Sequence, residues 1–146
     1  MSGNLCIGGD SLAAFTGKAC FMAMMKANTA RQQEIHVAML QLVQESKING
    51  SMLVLQKHLR SSLNWTLRWR VKRGANFSHK LWEDLDIELA GLPVPIRQHY
   101  EKLNRRALEL NHLDLMTQHT IRWCAIHLGQ QPSRVAPGSV EADMAA

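Results

Sequence analysis

Between Ser46 and Trp82 the sequence has neither aspartate nor glutamate. Lys47, Lys57, Arg60, Arg68, Arg70, Lys72, Arg73 and Lys80 all fall inside that stretch, and Glu83, Asp84, Asp86 and Glu88 cluster directly after it. Charge is therefore segregated along the chain, which favours an anionic partner for the acid-free segment. No run of about 18 apolar residues exists, so no membrane-spanning helix and no membrane partner is expected. The N-terminus lacks a basic region followed by an apolar one, so no secretory leader is expected. The cysteines Cys6, Cys20 and Cys124 are odd in number and far apart. They form no CxxC or Cys/His spacing, which argues against a disulfide framework and a zinc site. Free thiols in a reducing cytoplasm are the simplest expectation.

What is present suffices for a folded domain. Of 146 residues, 46% are apolar and 20% charged, enough for one real core. The net charge is +5 and the pI about 9.5, a balance that favours an anionic partner, nucleic acid or a membrane surface, over an acidic one. The expected division is a flexible arm over residues 1–10, one globular domain over 11–129 and a disordered tail over 130–146. The tail holds Pro132, Pro137 and Gly138 with few large apolar residues. No internal repeat is apparent. The eight methionines are expected as core filler.

Two long helices are expected. Ala19 to about Lys47 carries Phe21, Met24, Met25, Asn28, Ile35, Ala38, Met39 and Leu42 near a 3.6-residue period. The polar run Asn28–Glu34 leaves open a break into two shorter helices, and Ile48-Asn49-Gly50-Ser51 is a stop. Pro95 to Leu128 carries Ile96, Tyr100, Leu103, Ala107, Leu110, Leu113, Thr117, Ile121, Cys124 and Leu128 at threes and fours. At 1.5 Å per residue it spans roughly 50 Å. It must bend, pair with another long helix, or form a homodimer or partner seam. A turn at Gly74–Ser78 and a shorter helix from His79 to Ala90, capped by Ser78, complete the helical set.

In Trp65 to Lys72, Trp65, Leu67, Trp69 and Val71 alternate with Thr66, Arg68, Arg70 and Lys72. In a strand that pattern gives one apolar face and one basic face. A β-hairpin around residues 52–72, turning at Arg60–Leu63, supplies a partner strand. The fold class is then mostly α, an α+β domain of two long helices and one shorter one with a small hairpin. An all-α bundle, with Asn64–Arg73 helical, is the alternative.

Arg68, Arg70 and Lys72 lie about 7 Å apart along such a strand, a spacing similar to that of successive phosphates on one nucleic-acid strand. Lys57, Arg60 and Arg73 are expected to widen the patch. The same charges also fit a merely solvated face. Trp65 and Trp69 alternate with the cations, so they are assigned to the core rather than to base stacking. Lys102, Arg105 and Arg106 form a second basic group on the last helix, expected as solvated surface.

Chemistry-bearing motifs are missing. Gly17-Lys18 invites a phosphate-loop reading, but Leu12 and Ala19 occupy positions that need Gly and Ser/Thr. His112, His119 and His127 recur at seven and eight, too far along a helix for one ion. No nucleophile, acid–base or cofactor constellation stands out, so no enzyme and no cofactor is expected.

Around Leu67-Arg68-Trp69-Arg70 the chain resembles an uncharacterised domain family carried on bacterial integrating conjugative elements, some of whose members are labelled integrase regulators. Phe15-Thr16-Gly17-Lys18, Leu81-Trp82, Leu110-Asn111 and His119-Thr120-Ile121 match in order. The approach Ser61-Ser62-Leu63-Asn64-Trp65-Thr66 departs from the family's glycine-rich one. The resemblance implies a mobile-element setting and supplies no catalytic residues. The expected function is a non-enzymatic nucleic-acid accessory or regulatory protein, with DNA favoured over RNA. The alternative is a helical interaction subunit that dimerises or docks through residues 95–128.

Overall fold

The structure is a computed structural model and describes residues 17–60 and 64–129. The expected arm, the tail and the hairpin loop 61–63 lie outside the described residues. Two long helices, α1 (Lys18–Glu45) and α3 (Val94–His127), flank a sheet of β1 (Leu53–Leu59), β2 (Trp65–Arg73) and β3 (Asn76–Lys80). A 3₁₀ turn (Trp82–Asp84) and a short helix α2 (Asp86–Ala90) connect the sheet to α3. The class is α+β, and the all-α alternative does not hold.

The two long helices pair antiparallel. Phe21 at the start of α1 stacks on His127 at the end of α3, with ring centroids 4.7 Å apart. At the other end His99 Nε2 lies 3.4 Å from the Glu45 carbonyl. The seam follows a heptad on both sides, which keeps two helices in register over many turns. On α1 it runs Phe21, Met25, Asn28, Gln32, Ile35, Met39 and Leu42. On α3 it runs Ile96, Tyr100, Leu103, Ala107, Leu110, Asp114, Thr117, Ile121 and Cys124. All of these are buried or half-buried. The polar run Asn28–Glu34 thus lies inside one unbroken helix, in which Gln32 is buried and the Asn28 side-chain N–H donates to Met24 O at 2.8 Å. Cys20 and Cys124 are free thiols.

The sheet order is β1-β2-β3, antiparallel throughout. Register pairs Leu55 with Trp69 and Leu53 with Val71, so Leu53, Leu55, Leu67, Trp69 and Val71 all point onto the helix pair. Met39, Leu55, Val71, Leu85 and Tyr100 are shut off from solvent completely or nearly so. Full burial of such aliphatic side chains is worth about 1.5–3 kcal/mol each. Trp69 meets Tyr100 edge-on at 5.6 Å and Trp82 at 5.4 Å, and its Nε1–H donates to Asn104 Oδ1 at 3.0 Å.

One expectation fails locally. Asn76–Lys80 is a strand rather than a turn leading into a helix, and α2 covers only Asp86–Ala90. The cause is the Gly74-Ala75 turn. Gly74 takes φ +63° while Ala75 stays at negative φ, the type II′ pattern that returns a strand on its neighbour. Ser78, expected as a helix cap, instead pairs with Val71.

β3 pairs only with Trp69–Arg73, so β2 runs on past it with an open edge. Helix α3 closes that edge with side chains. Leu67 N–H donates to Asn111 Oδ1 at 2.7 Å, and Asn111 Nδ2 donates to Leu67 O at 3.1 Å. Two residues earlier, Trp65 N–H donates to Asp114 Oδ2 at 3.0 Å. Asp114 is fully buried, and its Oδ1 lies 2.7 Å from His36 Nε2, whose ring stacks on Trp65 at 3.8 Å. The free edge of β1 is treated alike: Leu55 N–H donates to Ser46 Oγ and Leu53 N–H to Ser51 Oγ.

Candidate functional site

Alternation along β2 sends Thr66, Arg68, Arg70 and Lys72 to the side of the sheet away from the helices. Register sets Val54, Gln56 and His58 beside them on β1, and Phe77 and His79 on β3. This outer face carries three permanent cations, two histidines and one aromatic ring, and no acid. Among the described residues, no carboxylate lies within ion-pair distance of Arg68, Arg70 or Lys72.

Phe77 sits among the cations. It is directly opposite Lys72. The Arg70 guanidinium lies 5.1 Å from its ring centroid and Lys72 Nζ 5.9 Å. Cation–π attraction holds both side chains beside the ring. His58 and His79 meet edge to face at 6.3 Å. Partial burial, Arg70, Arg68 and His58, in that order, push the His79 pKa below the ordinary 6.5.

The structure sorts the six expected site residues. Arg68, Arg70 and Lys72 share the outer face. Arg60 is exposed at the hairpin end, where its backbone N–H donates to Asn64 O at 2.9 Å. It joins Arg68 in lining a cleft of about 500 Å³ that opens where β3 stops. Lys57 belongs to the other side. It pairs with Leu67, and its Nζ sits 4.0 Å from the Trp65 ring centroid. Odd-numbered positions of β1 point inward, and Lys57 is one of them. Arg73 also leaves the patch, because its Nη2 reaches Glu88 Oε1 at 3.2 Å. Glu88 Oε1 also takes Lys80 Nζ at 2.7 Å, and this hydrogen bond is the main reason its carboxyl is held below the usual glutamate range.

Two residues escaped the sequence reading. Phe77 and His79 join the face only through the β2–β3 register. The available signal was Gly74-Ala75 directly after an alternating strand, a two-residue hairpin turn.

Among the described residues, no group of three or more His, Cys, Asp or Glu is arranged to hold a metal ion, and no helix is long and apolar enough to cross a membrane. His36 and Asp114 form a close imidazole–carboxylate pair, but both Asp114 oxygens are occupied, by His36 and by the Trp65 N–H. Asp114 thereby ties both α1 and β2 to α3. No family model, curated protein or solved structure matches the chain.

Proposed function

We propose that this is a non-enzymatic nucleic-acid accessory or regulatory protein that contacts the phosphate backbone through the outer face of its sheet. One observation carries the reading: Arg68, Arg70 and Lys72 stand in a row on a face with no acid and no ion-pair partner among the described residues. Unpaired cations in a row suit a polyanion, because binding releases its counterions without breaking internal ion pairs. Arg60 extends the row at the hairpin end. The resemblance around Leu67–Arg70 supports a bacterial mobile-element setting, with the cytoplasm as compartment and DNA ahead of RNA as the polymer.

The test is binding of labelled oligonucleotides across a salt series. Each neutralised phosphate contributes roughly 0.7–0.9 to the slope of log affinity against log salt. R68A/R70A is expected to lower that slope by about 1.5. Absence of binding at low salt removes the proposal.

A second reading has its own observation. Trp123 is 60% exposed and Ile126 and Met116 are more than half exposed, all on the last third of α3. Such a group suits a helical subunit that docks on a partner or a second copy. Light scattering at high concentration tests self-association, and a monomer removes that form of it.

A further inference from the structure

We infer that the outer sheet face takes single-stranded nucleic acid, with Phe77 as the platform for an unstacked base. The inference rests on the phosphate-contact reading above and adds the form of the polymer.

Phe77 is the starting point. It is 46% exposed in the middle of a charged face, and it lines a cavity with Val54, Arg70 and the α1 residues Leu40 and Val43. An aromatic ring held there by Arg70 and Lys72 has a flat surface to offer a flat ligand. Every base has such a surface, and stacking on it needs no particular sequence. In a duplex, base faces are already stacked on each other and only their edges are reachable through the grooves. A ring reaches that stack only by kinking the duplex and unstacking a step, at a cost of a few kcal/mol that a single strand does not impose.

The layout of the face fits a single strand as well. Arg68, Arg70 and Lys72 form one row along β2, and Phe77 stands on the neighbouring strand about 4.8 Å to the side. A backbone that follows the β2 row therefore lays its bases over β3. The row continues past the end of β3 into the cleft lined by Arg60, Arg68, Trp82, Asn104 and Asn111, which is open where a further base would fall. Among the described residues no carboxylate stands on the outer face itself, and Glu83 is the one carboxylate among the residues that line the cleft.

The test compares one sequence as single-stranded DNA, single-stranded RNA and a blunt duplex, by fluorescence anisotropy. The proteins are the wild type, F77L, F77W and R68A/R70A. Phe77→Leu keeps the apolar bulk and removes the ring, and Phe77→Trp keeps a ring, so loss in the first and retention in the second separates stacking from mere burial. Circular dichroism confirms that each variant is folded. The expected result is tighter binding of either single strand than of duplex. Phe77→Leu should weaken single-strand binding about five- to a hundredfold, with the duplex affinity and the salt slope unchanged. Equal or tighter duplex binding, or no effect of Phe77→Leu on the single strands, overturns the inference. In that case a reduced salt slope in R68A/R70A still leaves the phosphate reading standing. Failure of all three polymers to bind removes both.

Discussion

Asn111 meets Leu67 as a neighbouring strand would, giving its side-chain oxygen to the Leu67 N–H and its side-chain N–H to the Leu67 carbonyl. One residue of α3 thus replaces the strand that β3 is too short to supply. Asn111→Leu leaves two backbone groups unpaired beside a cleft that water reaches only in part. The expected cost is about 2 kcal/mol. Asn111→Asp keeps the acceptor and loses the donor, and should cost less. Urea unfolding, with an unchanged slope against denaturant, measures both.

Lys57 lies opposite Leu67 and Arg70 opposite Val54, three positions apart on the β1–β2 ladder and on opposite faces, so they should fail differently. Lys57→Met removes a cation lying over Trp65 and should cost about 0.5–2 kcal/mol of stability. Its effect on the salt slope of nucleic-acid binding should be small. Arg70→Ala should do the reverse. A matching loss of slope in Lys57→Met would contradict the assignment of faces.

His79 gives the face a pH dependence of known sign. Partial burial, with Arg70 and Arg68 on β2 and His58 on β1, keeps its folded pKa below 6.5, so it is neutral at pH 7 in the free protein. As pH falls through 6.5 the unfolded chain takes up a proton first, so stability declines in that window and levels off below the folded pKa. A bound phosphate reverses the cost of the charge. Affinity for oligonucleotide should therefore rise as pH falls below about 6.5, and His79→Asn should flatten the rise. Anisotropy titrations at several pH values read this directly.

Glu88 sets the acid limit of the other side. Its carboxyl is held down first by the Lys80 hydrogen bond, against burial, and then by its own backbone N–H and by Arg73. The stabilisation is present above its ordinary value of 4.5 and is lost as pH falls through the lower folded pKa. Lys80→Met should cost about 1–2 kcal/mol at pH 7 and shrink the acid-induced loss. Arg73→Ala should cost less, because its guanidinium is largely solvated. Thermal melts from pH 7 to pH 3 check the order.

Both long helices were legible because their seams recur at threes and fours over many turns, which no strand imitates. β2 was legible because four apolar residues alternate with polar ones without a fault. β3 was not, because it hangs on the margin of the sheet with most of both faces in water, so Asn76–Lys80 has no apolar alternation to display. Leu81, Trp82, Leu85 and Leu89 lent their helical spacing to it instead. The site was legible as charge and not as geometry. Composition counted Lys57 and Arg73 with the rest, and only the register shows which way each one points. The exposed ring at the centre of the face was hidden for the same reason, since Phe77 gains its place from a residue on another strand.

The unequal treatment of the strand margins has a directional outcome. Ser46 and Ser51 occupy backbone donors of β1, and Asn111 and Asp114 occupy those of the overhanging part of β2. Among the described residues, no side chain does this for β3. Any extended chain that joins this sheet, whether from a partner or from misassembly at high concentration, is steered to the β3 side. Growth there would carry the charged face outward from Phe77 and leave the helix-backed margins untouched.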